Sequence, residues 1–71
     1  MTHDILLSSR EKRLLRRLAA GKTDQEIASK LGGTLKQISE QRTRLLNKIG
    51  IRSETEIIEA AVRLAPWRRK T

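Results

Sequence analysis

The sequence predicts an all-α domain of four helices, on three observations. A Ser or Thr followed three residues later by Glu or Gln occurs at Ser8/Glu11, Thr23/Glu26, Thr34/Gln37 and Ser53/Glu56, each ahead of apolar residues at helical spacing. In such a capping box the hydroxyl and the returning side chain satisfy backbone N–H groups that a first helical turn leaves unpaired. Gly21, the pair Gly32-Gly33, Gly50 and Pro66 stand where helices so started would stop, the glycines by a left-handed residue. Val and Ile are too few, and alternation too rare, for a sheet.

The first helix is expected over about 9–20, where Leu14, Leu15 and Leu18 share a face. The second, over about 24–31, gathers Ile27, Ala28 and Leu31. Only Gly32 and Gly33 separate it from the third, and two amphipathic helices joined by so tight a turn read as a helix-turn-helix or as a plain αα-hairpin. The fourth, over about 54–65, carries Ile57, Ile58, Ala60, Ala61, Val62, Leu64 and Ala65, more apolar width than one core-facing stripe needs. Self-pairing of two copies through Ile57, Ile58, Ala61, Val62 and Ala65 would cover the excess, unless small Ala side chains make the stripe look wider than it is.

The third helix, about 35–49, is the chemically informative one. At about 100° per residue, Leu35, Ile38, Leu45, Leu46 and Ile49 form one stripe. The opposite side holds Lys36, Ser39, Glu40, Thr43, Arg44 and Asn47, flanked by Gln37, Gln41 and Lys48. A surface of this kind can lie in a DNA major groove with short and long polar side chains at base edges and cations on phosphates. Glu40, a carboxylate among cations, has two readings: an intrahelical ion pair with Lys36 or Arg44, worth a few tenths of a kcal/mol, or acceptance of a hydrogen bond from cytosine N4. Arg42 falls at the edge of the apolar stripe, so its head is expected to reach a phosphate or a carboxylate such as Glu11.

Composition narrows the partners. The chain has 71 residues, with 16 Lys plus Arg against 8 Asp plus Glu and a net charge of +8, which makes nucleic acid or an acidic membrane the default partner. Without cysteine, and with His3 as the one histidine, neither a disulfide nor a metal cluster is expected. No catalytic set can be assembled, so neither an enzyme nor a cofactor or small-molecule site is expected. No apolar run approaches the roughly 18 residues of a membrane span, and no secretion signal opens the chain, which favours the cytoplasm. Gly21-Lys22-Thr23 imitates a phosphate-binding loop but lacks its earlier glycine and its strand. Duplex RNA is disfavoured because its narrow major groove excludes a helix.

The chain resembles the DNA-binding domain of LuxR/GerE-type transcriptional regulators across about residues 7–65. The match is carried by LLSSREKRLLRRLAAGKTDQEIASKLGG and TLKQISEQRTRLLNKIGIRSETEIIEAA, through Ser9-Arg10-Glu11, Leu14, Leu18, Gly21, Thr23, Glu26-Ile27-Ala28, Leu31, Ile38, Leu45 and Lys48-Ile49-Gly50. The resemblance implies a helix-turn-helix formed by the second and third helices, and dimerisation through the fourth. It implies base contacts from Lys36, Ser39, Glu40 and Thr43, and phosphate contacts from near Thr23 and Gln37 and from Arg44 and Lys48. This chain departs from the pattern in having Gln37-Ile38-Ser39 where many members have Thr-Val-Lys, and Gln41 where many have His. It also lacks the hydrophobic residue usual at Gly33, which implies a looser turn.

The reading that follows is one domain, residues 1–71, with flexible ends at 1–6 and 68–71. It binds double-stranded DNA as a homodimer, regulates transcription and also touches RNA polymerase. Trp67 is expected to plug the end of the fourth helix, and Arg68, Arg69 and Lys70 to form a solvated basic tail. A module that dimerises with related regulators to modulate them is the alternative. The cations of the third helix separate the two, because an inhibitor's face would be net acidic.

Overall fold

The structure, a computed structural model, describes residues 6–65. The expectations for His3, Pro66, Trp67 and the basic tail lie outside those residues. Four helices follow one another: α1 (Ser9–Ala19), α2 (Asp24–Leu31), α3 (Leu35–Ile49) and α4 (Glu54–Leu64). They match the expected spans to within one residue, because their starts are encoded locally. In all four, the N-cap hydroxyl accepts from the N3 backbone N–H and the N3 side chain accepts from the N-cap N–H. The reciprocal bonds of the first are 3.0 Å from the Glu11 N–H to Ser8 Oγ and 2.9 Å from the Ser8 N–H to Glu11 Oε1. These bonds favour the ionised form of the carboxylates. The Ser8 N–H holds Glu11 below its ordinary range, the Thr23 N–H does so for Glu26, and the Arg52 and Ser53 N–H groups do so for Glu56.

The core is formed by Leu14 and Leu15 of α1, Ile27 of α2, Ile38 and Leu45 of α3, and Ala60 and Ala61 of α4 with its C-cap Ala65. Here α1 is the hub: it packs most extensively against α4 and also against α2 and α3. Two of its arginines close other helices. Arg16 Nε donates to the Ala65 carbonyl at 3.0 Å, and Arg10 donates to the carbonyls of Leu31 and Gly32, both at 3.0 Å. A cation at a helix C-terminus satisfies orphan carbonyls and opposes the negative end of the dipole.

Two expectations about packing are corrected. The inner stripe of α3 is narrower than its wheel implies: Ile38 and Leu45 are buried, but Leu35 is 53% exposed. Leu35 occupies the first helical position, so its angle alone does not bring it to the core. The apolar face of α4 is narrower too. Ala61 and Ala65, expected at a dimer contact, are buried in the core where α4 packs on α1, and small side chains are what allow α4 to lie so close. What α4 leaves outside is Ile58 and Val62, 51% and 69% exposed, with Ile57 half-buried beside them. Among the described residues no helix is long and apolar enough to cross a membrane.

Candidate nucleic-acid interface

The side of α3 turned away from Ile38 and Leu45 presents Lys36, Glu40, Thr43, Arg44 and Asn47 to solvent, with Ser39 half-buried at its edge. The core residues fix this orientation, since a helix that buries one stripe must expose the opposite one. Thr43 Oγ1 donates to the Ser39 carbonyl at 3.1 Å, so its hydroxyl proton is occupied and its oxygen keeps acceptor capacity. Neither ion pair expected of Glu40 is formed: the bridges among the described residues are Arg42–Asp24 and Lys48–Glu11. Glu40 is therefore an open carboxylate on the outer face.

The flank of α3 that looks toward α1 holds Gln37, Gln41 and Lys48. Gln37 Oε1 accepts the Thr34 N–H at 2.9 Å, and Gln41 Oε1 accepts from Arg10 Nε at 3.3 Å. With both amide oxygens occupied, each glutamine has its NH2 group left to offer, and a donor is what a phosphate oxygen requires. Lys48 Nζ lies 3.1 Å from Glu11 Oε1 and 3.3 Å from Oε2. That contact adds to the Ser8 N–H in keeping Glu11 ionised and shares the Lys48 charge with a carboxylate. Arg44, exposed one turn earlier, has no ion pair among the described residues and lines the cleft between α1 and α3 with Ser8, Arg10, Glu11, Leu14 and Gln41.

Thr23 caps α2 and is exposed, its side chain accepting the Glu26 N–H at 3.2 Å. Arg42 is a correction in partner: its Nη1 meets Asp24 Oδ1 at 2.9 Å, tying α3 to the first turn of α2, while Glu11 takes Lys48. The wheel places Arg42 on a flank of α3 but does not say which neighbouring helix that flank meets. Sequence reasoning missed Arg10 altogether. It sits in the Ser9-Arg10-Glu11 opening, and nothing in its spacing indicates contacts 21 to 31 residues away.

The geometry agrees with what the chain is similar to. The family model described as bacterial regulatory proteins of the luxR family matches residues 6–61. The Fimbriae Z protein of Salmonella typhimurium strain LT2 is 41% identical over 59 residues, covering 83% of this chain and 28% of that protein. The oxygen regulatory protein NreC of Staphylococcus aureus is 34% identical over 58 residues, covering 82% of this chain and 27% of its own length. The chain thus spans little more than a quarter of the length of these curated relatives. No solved structure matches it. Four capped helices, a polar outer face on the third and a match over most of the sequence lead to one conclusion: the chain belongs to the LuxR family of bacterial regulatory proteins, as a helix-turn-helix domain.

Proposed function

We propose that the domain reads double-stranded DNA by laying α3 in the major groove. The observation that carries this reading is that Lys36, Glu40, Thr43, Arg44 and Asn47 are all exposed on one side of a helix whose other side is anchored in the core. Fifteen residues make a rod about 22 Å long, which fits along a groove roughly 12 Å wide. Lys36, Ser39, Glu40 and Thr43 face base edges. Thr23, Gln37, Gln41, Arg44, Asn47 and Lys48 meet the backbone, Lys48 by exchanging Glu11 for a phosphate. Two copies pair through Ile58 and Val62, with Ile57 behind them, and present two α3 helices to half-sites about one helical turn apart. The domain works in the cytoplasm and regulates transcription with RNA polymerase as a further partner. The exposed cations of α3 favour DNA over a role confined to pairing with related regulators.

Selection of bound duplexes from a random pool tests the reading. Enrichment of one motif in two spaced copies supports it, and a pool that stays random overturns it. Glu40→Ala is expected to relax preference at one base pair by about five- to 150-fold, the range corresponding to about 1–3 kcal/mol for a base-edge contact. Repeating the selection with the variant measures this, and an unchanged motif removes Glu40 from the reading surface. Ile58→Asp is expected to leave binding to a single half-site intact while abolishing cooperative binding to the double site, as measured by gel shift on the two duplexes. Retained cooperativity would place the pairing surface elsewhere.

A further inference from the structure

We infer that Arg10, on α1, is a positioning residue for DNA readout: its guanidinium clamps the turn between α2 and α3 and holds α3 at the angle at which it enters the groove. This rests on the reading of α3 as the groove-entering helix. Three hydrogen bonds radiate from one side chain. Nη1 reaches the Leu31 carbonyl and Nη2 the Gly32 carbonyl, each at 3.0 Å, and Nε reaches Gln41 Oε1 at 3.3 Å. The acceptors belong to the last residue of α2, the turn, and the middle of α3. A planar fork with five donors in fixed directions can hold all three at once; an ammonium group, a point donor on a flexible stem, cannot.

The turn explains why a clamp is needed. Gly32 leaves α2 at φ 86°, ψ 158°, outside the left-handed well expected for a helix stop, and Gly33 follows at φ 106°. Two consecutive glycines would otherwise let the helices hinge. A Cβ on Gly33 would stand 2.9 Å from Gln37 Oε1 and 3.8 Å from Arg10 Nη2. Glycine at 33 therefore admits the Gln37 cap at a positive φ, with the guanidinium at ordinary contact distance, and the looser turn implied by the missing hydrophobic side chain is not what this chain has. A hydrophobic contact is replaced by a polar clamp from α1.

The lever is long. A tilt of about 5° at the turn moves the far end of a helix about 22 Å in length by roughly 2 Å, well beyond the ~0.5 Å within which a recognition constellation must be held. The same clamp fixes the Gln41 amide with its NH2 group free for the backbone. Arg10 is exposed, so its loss disturbs aim more than folding.

The test uses the 71-residue chain, its Arg10→Ala and Arg10→Lys variants, a duplex from the selection above and a scrambled duplex of equal length, over a range of salt. Arg10→Ala is expected to reduce the ratio of the two affinities about tenfold, the size of one hydrogen bond to a charged group. It should leave the salt slope on the scrambled duplex unchanged and shift the free protein's Gly32, Gly33 and Gln41 amide resonances. Arg10→Lys should not restore the ratio. A slope reduced by about 0.9 with the ratio intact would make Arg10 a phosphate ligand instead. A lowered Tm with ratio and slope both unchanged would make it merely stabilising, and rescue by lysine would show that charge suffices; each overturns the inference. A parent chain that fails to distinguish the duplexes overturns the groove reading and the inference together, whereas a discriminating parent with an equal Arg10→Ala variant overturns the inference alone.

Discussion

Leu45→Ala is expected to leave a substantial fraction of the protein unfolded at 25 °C. Leu45 is 1% exposed, lies in the C-terminal half of α3 and meets side chains of the shared core. Truncating a buried leucine to alanine removes its transfer free energy and leaves a cavity, at a cost of about 2–5 kcal/mol. A domain of this size rarely has more than about 3–5 kcal/mol in total. The two quantities are comparable, so a single truncation nearly cancels the fold. Urea titration followed by circular dichroism gives the difference directly. Addition of a selected duplex should then restore part of the helicity, because a ligand that binds only the folded state stabilises it by mass action. A loss below about 1 kcal/mol would mean that α3 is not anchored through its inner face, and the orientation of its outer face would lose its basis.

The second large effect is on affinity. Replacing Lys36 and Arg44 together by Ala is expected to weaken binding to a selected duplex by about 100-fold and to a scrambled duplex by about tenfold, if each cation contributes about 1.4 kcal/mol, and to reduce the magnitude of the salt slope by about 0.9, for the one phosphate that Arg44 neutralises. Both side chains are exposed, and neither has an ion pair among the described residues. Lys48→Ala alone should do less, since its charge is already shared with Glu11 in the free protein. Fluorescence anisotropy at several salt concentrations measures both quantities. A double variant whose slope equals that of the parent would remove Arg44 from the DNA backbone. If Lys36 instead meets a phosphate, the slope falls by about 1.8 and both duplexes lose affinity alike.

What was legible in the sequence follows the range of the interactions. The capping boxes at Ser8, Thr23, Thr34 and Ser53 act over three residues, and all four starts are where spacing puts them. The outer face of α3 was legible for the same reason, because a helix wheel is local geometry. The errors concern how one helix meets another. Ala61 and Ala65 looked like part of an excess apolar width, yet their small size is what brings α4 against α1. Arg42 reaches a carboxylate, as its place on the wheel implies, but that of Asp24 and not of Glu11, which holds Lys48, because angle on a wheel does not identify the helix across the gap. Arg10 was invisible for the strongest version of that reason: its acceptors lie on two other helices and on the turn between them.

The central claim is that the outer face of α3 meets base edges while its inner face stays fixed in the core. Amide resonances followed through titration of the chain with a selected duplex test it most directly. The account predicts large shifts at Lys36, Ser39, Glu40 and Thr43, with Ile38 and Leu45 little changed in hydrogen-exchange protection. Shifts confined to α4 or to the outer side of α1, with those four amides stationary, would contradict it.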